Sequence, residues 1–191
     1  MLRRTTASSF LKSLRHSLQN PVRPTRLRGL RPLRYAEPLE LRIVLENQPP
    51  ENMVPAPQTV QVNQPLAFTE FHENQISTSD PDAGLNKIKV TLTAEHGVIT
   101  LNYPDPNGGL TYSIGDGTSD ETITFTGKIP DINTALSWLV FQPDPDYIGT
   151  EASVTITTDD QGYFGPAGPK QDTDTISIDV TAVPAFEDSP T

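Results

Sequence analysis

From residue 59 onward, apolar and polar positions alternate with period two in six separate stretches. They read TVQV (59–62), KIKVTLT (87–93), VITL (98–101), ETITFTG (121–127), ASVTITT (152–158) and DTISIDVTAV (174–183). A strand points successive side chains to opposite faces, so this alternation marks strands buried on one side only. Ile88, Val90 and Leu92 share a face, as do Ile123 and Phe125, Val154 and Ile156, and Ile176, Ile178 and Val180. Thr, Lys and Asp take the opposite face. Two sheets with such faces cover one another, which predicts an all-β antiparallel sandwich of about seven to nine strands.

One segment breaks the pattern. PDINTALSWLVFQP begins with Asp131, a good cap for free helix amides, and sets Ile132, Leu136 and Leu139 at helical spacing before Pro143 ends the run. This predicts one short helix over 132–138 running into a strand, with Trp138 plugging the core.

Ahead of the strands, residues 46–57 carry four prolines and read as an extended linker. Residues 1–45 differ again in character. They hold ten Lys and Arg against two Glu, whereas the remaining residues hold four Lys against twenty-two Asp and Glu. The basic arm, rich in Arg and Ser and cut by Pro21, Pro24 and Pro32, reads as flexible, with room for a short amphipathic helix at 8–18. The organisation expected is a basic arm (1–45), a linker (46–57), a sandwich (58–183) and a tail or linker to a following repeat (184–191).

The charge split excludes some functions. Nucleic-acid affinity comes mostly from Lys and Arg neutralising phosphates, so the acidic body is a poor match for DNA or RNA. Crowded carboxylates repel one another, and a divalent cation relieves that repulsion. With no cysteine there is neither a disulfide framework nor a thiolate centre, and His16, His72 and His96 lie too far apart in sequence for a zinc motif. No stretch has the length and apolarity of a membrane span. Carboxylates are plentiful but sit in polar turns, so an enzyme is not expected: a glycosidase needs two flanking a cleft, one with its pKa raised.

The sharpest candidate chemistry is Asp80-Pro81-Asp82-Ala83-Gly84. In extended chain the side chains of i and i+2 point the same way, so both carboxylates can meet one calcium ion, which takes oxygen ligands in loose geometry. The same residues also spell a turn, with Pro fixing one dihedral, Asp capping amides and Gly taking a positive φ. An EF-hand is excluded because Thr91 stands where the loop's closing Glu should be. Asp159 and Asp160 in TTDDQG, and the Asp144/Asp146 and Asp172/Asp174 pairs, are further acids. SIGDGTSD has the Gly-Asp rhythm of calcium-binding nonapeptides but only one copy of it. Tyr163 and Phe164, in QGYFGPAGPKQ, are candidate stacking platforms for a sugar.

Two resemblances add to this reading. YAEPLELRIVL resembles the signature of the LEPR-XLL type N-terminal domain at Glu37, Pro38, Leu39, Glu40, Arg42 and Leu45, with Leu41 departing. That implies an export or sorting address. Residues 55–191 resemble one unit of the bacterial cadherin-like or immunoglobulin-like tandem repeats of large surface adhesins. The telling parts are Asp131, Ile132, Asn133 and Leu136, then Asp146, Tyr147 and Gly149 with TTDDQG after them.

The second resemblance implies an extracellular or cell-surface setting, a structural or adhesive role, and partners among neighbouring repeats or other cell-surface proteins. It also implies Ca2+ held by Asp80, Asp82, Asp159, Asp160 and Asp188. Asn63 and Gln64 stand where that family often has Glu-Asp, and Glu187 where it has Asn. The alternative reading is a carbohydrate-binding module with polysaccharide as its partner.

Overall fold

The computed structural model describes residues 46–103, 108–163 and 167–184. The basic arm with its LEPR-XLL-like stretch, Phe164, and the tail with Glu187 and Asp188 therefore lie outside the described residues. The described chain forms β1 (Glu51–Met53), β2 (Gln58–Gln61), β3 (Leu66–Phe68), a 3₁₀ turn at Glu70–His72, β4 (Ser77–Ser79), β5 (Ile88–Glu95) and β6 (Gly97–Leu101). It continues through β7 (Thr111–Ile114), β8 (Thr122–Gly127), α1 (Ile129–Leu136), β9 (Leu139–Pro143), β10 (Gly149–Asp159) and β11 (Gln171–Thr181).

A six-stranded sheet in the order β2-β11-β10-β5-β8-β7 and a three-stranded sheet β3-β9-β6 make the two layers, and β1 pairs with β4 in a small ribbon. The fold is thus an all-β sandwich with one short helix. Its pairs are antiparallel except β2 with β11, which run parallel with Ile178 opposite Gln58. The inner faces are those the alternation marks. Val90, Leu92, Ile123, Phe125, Val154, Ile156, Ile176 and Ile178 from the large sheet meet Phe68, Ile99, Leu101, Leu139 and Phe141 from the small one, all buried. Each such Ile or Phe, moved from water to the interior, stabilises by about 1.5–3 kcal/mol.

The outer face of the large sheet carries threonine pairs instead, Thr155 with Thr175 at 2.8 Å and Thr157 with Thr173 at 3.0 Å. β-branched residues suit a pleated surface, and their hydroxyls bond across strands.

Two expectations change. The helix begins earlier than Asp131 suggests: Lys128 is its N-cap and makes no side-chain capping bond, while Pro130 sits in the first turn. A proline there loses nothing, because that turn has no intrahelical use for its N–H. Ending at Leu136, α1 then buries Ile132, Ala135 and Leu136 and leaves Trp138 beyond its end, where the indole is 47% exposed instead of plugging the core.

The proline-rich segment is extended, as its composition requires, but it also packs. Asn47 and Asn52 are buried, and Glu51–Met53 pairs with Ser77–Ser79.

Candidate functional site

β4 ends at Ser79, directly before Asp80, and a helix side chain fixes its path. Asn133 of α1 accepts from the Thr78 amide through Oδ1 and donates to the Thr78 carbonyl through Nδ2, both at 2.9 Å. The two bonds imitate a neighbouring strand, so the chain arrives at Asp80 already held. There Asp80 Oδ1 accepts from the amides of Asp82 and Ala83, each at 3.0 Å, and Gly84 takes φ +54°. The turn written in the sequence is real. It uses one oxygen of Asp80 and leaves the other.

That other oxygen, Asp80 Oδ2, is buried and no donor group among the described residues reaches it, and the same holds for Asp82 Oδ1; the two carboxyls stand within hydrogen-bonding reach of each other, so they pair only when Asp80 carries a proton. Asp80 is only 8% exposed. Burial, with the Asp82 carboxylate beside it, pushes its pKa above the ordinary value, although two backbone amides oppose the shift.

The chain's beginning closes over these acids. The Gln48 amide donates to Asp82 Oδ2 at 2.8 Å, and the preceding residue, Asn47, donates through Nδ2 to Asp160 Oδ2 at 2.6 Å and to the Gly168 carbonyl at 2.9 Å. Two consecutive residues thus tie Asp82 to Asp160. Asn47 is 1% exposed, and its Oδ1 is a third buried oxygen without a partner. Asp160 Oδ1 accepts from the amides of Gly162 and Lys170 at 2.8 Å.

Asp159 goes elsewhere. As the last residue of β10 it falls on the outer face, where Lys89 Nζ meets Oδ2 at 2.9 Å and Gln171 Nε2 donates to the same oxygen at 2.9 Å. The Gln161 amide donates to Oδ1 at 2.7 Å. Burial would raise its pKa, but Lys89, Gln171 and the Gln161 amide outweigh that and hold it below the ordinary value. Asp80 and Asp82 are therefore adjacent, Asp160 is linked to Asp82 only indirectly through Asn47 and Gln48, and Asp159 is engaged by Lys89. Tyr163 is exposed.

Asn47, Asn52 and Asn133 were not singled out by their sequence context as parts of this end of the molecule. Asn52 donates its amide to Asp172 Oδ2 at 2.7 Å and accepts from Thr158 Oγ1 at 2.6 Å, which clamps β1 to the ends of β10 and β11. The available signal was an asparagine two residues ahead of the Pro49-Pro50 pair, because a proline-stiffened stretch holds its neighbours in place at little entropic cost.

The oxygens left over at this end are hard donors carrying few charges. Among the described residues, no three His, Cys, Asp or Glu side chains stand close enough together to hold a metal ion. Calcium also accepts amide and backbone oxygens, and the unpartnered oxygens here are two carboxylate and one amide. That donor set fits calcium and suits neither zinc nor a thiophilic metal.

No protein-family model matches the chain, and no curated protein matches it. Among solved structures, the chain is similar to a cohesin module from a family 33 glycoside hydrolase of Clostridium perfringens ATCC13124, at 9% identity and a TM-score of 0.40, over 69% of this chain and 98% of that one. An overlap this loose transfers no function.

Proposed function

We propose that this chain is a calcium-binding, non-catalytic structural or adhesive repeat of a bacterial exported or cell-surface protein. The calcium part rests on one observation: Asn47 and Asp80 are almost wholly buried, yet each keeps an oxygen that accepts no hydrogen bond. Buried polar atoms are nearly always paired, and an unpaired one costs about 1–3 kcal/mol. A cation bound by Asn47 Oδ1, Asp80 and Asp82, with water or backbone oxygens completing its shell, would turn that cost into binding energy. It would also reverse the upward push on the Asp80 carboxyl, since a bound cation favours the charged form. Asp160 would hold the Asn47 amide in orientation from behind, a supporting role next to the ligands themselves.

The setting and the role rest on the resemblance of residues 55–191 to surface-adhesin repeats and of residues 35–45 to an export segment. A sandwich whose acidic end is stiffened by calcium acts mechanically, as a spacer or a presenting unit among neighbouring repeats or other surface proteins.

Thermal denaturation tests the metal. Calcium at a hundred times its dissociation constant adds about 2.7 kcal/mol, which raises the melting temperature on the order of 10 °C. Magnesium should do less, because it insists on small octahedral geometry. The Asp80→Ala/Asp82→Ala double variant should show no calcium response. A wild-type protein indifferent to calcium would remove the metal from this reading.

A further inference from the structure

The register of β3 against β9 ends with Phe68 opposite Leu139. The next residues along the two strands are Thr69 and Trp138, so the pairing carries the end of α1 up to the 3₁₀ turn that follows Thr69. Glu70 and Phe71 of that turn, Gln75 after it, and Ser137 and Trp138 from the other side line a cavity of about 380 Å³. This is within the usual range for small-ligand pockets, roughly 300–1,000 Å³.

Two aromatic side chains open to solvent in one cavity are unexpected on hydrophobic grounds. Phe71 is 85% exposed and Trp138 is 47% exposed. Neither is needed to complete the core, which closes beneath them through Phe68, Leu136 and Leu139, all fully buried.

The loop that presents Phe71 is not loose. Asn74, itself buried, accepts from the Thr69 amide at 2.8 Å and donates to the Ala67 carbonyl at 3.1 Å and to Gln58 at 3.0 Å. Glu73 closes the turn in the left-handed region at φ +55°, its amide donating to the Glu70 carbonyl at 3.0 Å. The Phe71 ring stands edge-on to His72, with centroids 5.2 Å apart. The backbone that carries Phe71 is thus ordered before a ligand arrives, which leaves only the ring's own rotamers to settle on binding.

The polar groups select the ligand class. Glu70 and Gln75 end in planar groups able to bond pairs of adjacent hydroxyls, and neither side chain is hydrogen-bonded to another of the described residues. Ser137 Oγ donates to the Thr134 carbonyl at 2.8 Å, which leaves its own lone pairs to accept. A single carboxylate among two aromatics and two neutral groups is a weak cage for a cation, which favours several faces and acids together. An anionic ligand would meet Glu70 and a body holding four Lys against twenty-two Asp and Glu. Among neutral ligands, a flat ring with C–H faces and a rim of hydroxyls matches both the aromatic faces and the unengaged planar groups.

We propose that the cavity between Phe71 and Trp138 binds a neutral pyranose unit of a polysaccharide, stacked on the indole and hydrogen-bonded by Glu70 and Gln75. The site is separate from the Asn47–Asp80 end and from Tyr163, and does not depend on calcium.

Trp138 is the chain's one tryptophan, so its fluorescence reports on this cavity alone. The protein is titrated in EDTA with a soluble glucan, xylan, galactan and mannan, and with tetramethylammonium as a cation control. The expected result is a saturable emission shift with at least one polysaccharide. Phe71→Ala should weaken that binding roughly tenfold, about what one lost aromatic contact costs. Glu70→Ala should weaken it too, whereas Tyr163→Ala should not. Melting temperatures of the variants should match wild type, because the replaced side chains are exposed. No emission change with any of the four polysaccharides would overturn the proposal, as would a response to tetramethylammonium alone, or polysaccharide binding indifferent to both Phe71→Ala and Glu70→Ala.

Discussion

Asp80 and Asp159 stand at the same end of the sandwich and are buried to nearly the same degree, 8% and 6% exposed, yet their carboxyls are displaced in opposite directions. Burial pushes both upward. Asp159 has Lys89, Gln171 and the Gln161 amide to oppose it, and ends below its ordinary value. Asp80 has two amides on one oxygen and, toward the other, only a second carboxyl, which it can hydrogen-bond when protonated and repels when ionised, and it ends above. Depth of burial therefore does not set the direction of the displacement. The partner count does: a fully partnered acid already stabilises the fold, and an under-partnered one carries a cost that a cation would remove.

The pleat of β10 sends Thr158 inward and Asp159, the strand's last residue, outward, and Asp160 follows directly after the strand. The largest effect should come from loosening that strand. Ile156→Ala empties a fully buried position between the sheets and should cost about 2–5 kcal/mol in chemical denaturation, with or without calcium. A cost well under 1 kcal/mol would mean that the strand is not the rigid divider described.

Asp159→Ala comes next. It strands Gln171 and the Gln161 amide and frees a half-exposed Lys89, at about 1–2 kcal/mol near neutral pH. Because the folded carboxyl titrates below the ordinary 3.8, its contribution is complete above about pH 3.8 and disappears as pH falls through the folded value. Variant and wild type should therefore converge in acid, and calcium should leave their difference unchanged. A difference that grows in acid would contradict the ion pair with Lys89.

The smallest effect has the opposite sign. In EDTA at neutral pH, Asp80→Asn should stabilise the protein by roughly 1 kcal/mol. The amide oxygen keeps the turn bonds to Asp82 and Ala83 while an uncompensated charge is removed. The folded carboxyl binds its proton more tightly than the unfolded chain does. Wild-type stability therefore falls as pH rises from the ordinary 3.8 through the raised folded value, and the variant's advantage should vanish below that window.

Much of the fold was legible because period-two alternation is a local signal. The strands over 88–95, 97–101, 122–127, 149–159 and 171–181 coincide with the alternating runs to within a few residues. The parallel edge pair of β2 and β11 was not legible, since alternation says which face is buried and nothing about direction. Trp138 was misjudged because helical spacing was counted through Leu139, whereas Pro130 starts the helix earlier and it ends at Leu136.

At the acidic end, the turn at Asp80 could be read from residue types with known local geometry. Asn47 could not. Its role depends on contacts more than a hundred residues away, to Asp160 and Gly168, and only a folded chain brings those groups together. The same reason hid the clasp of Asn133 on Thr78.

The central claim is that the unpartnered oxygens of Asn47, Asp80 and Asp82 are waiting for a cation. Melting wild type and Asp80→Asn side by side, in EDTA and then in saturating calcium, tests it most directly. The account predicts a reversal of order: the variant melts higher in EDTA, and the wild type melts higher in calcium. If the variant stays ahead in both buffers, the buried oxygens are no more than a defect of the fold.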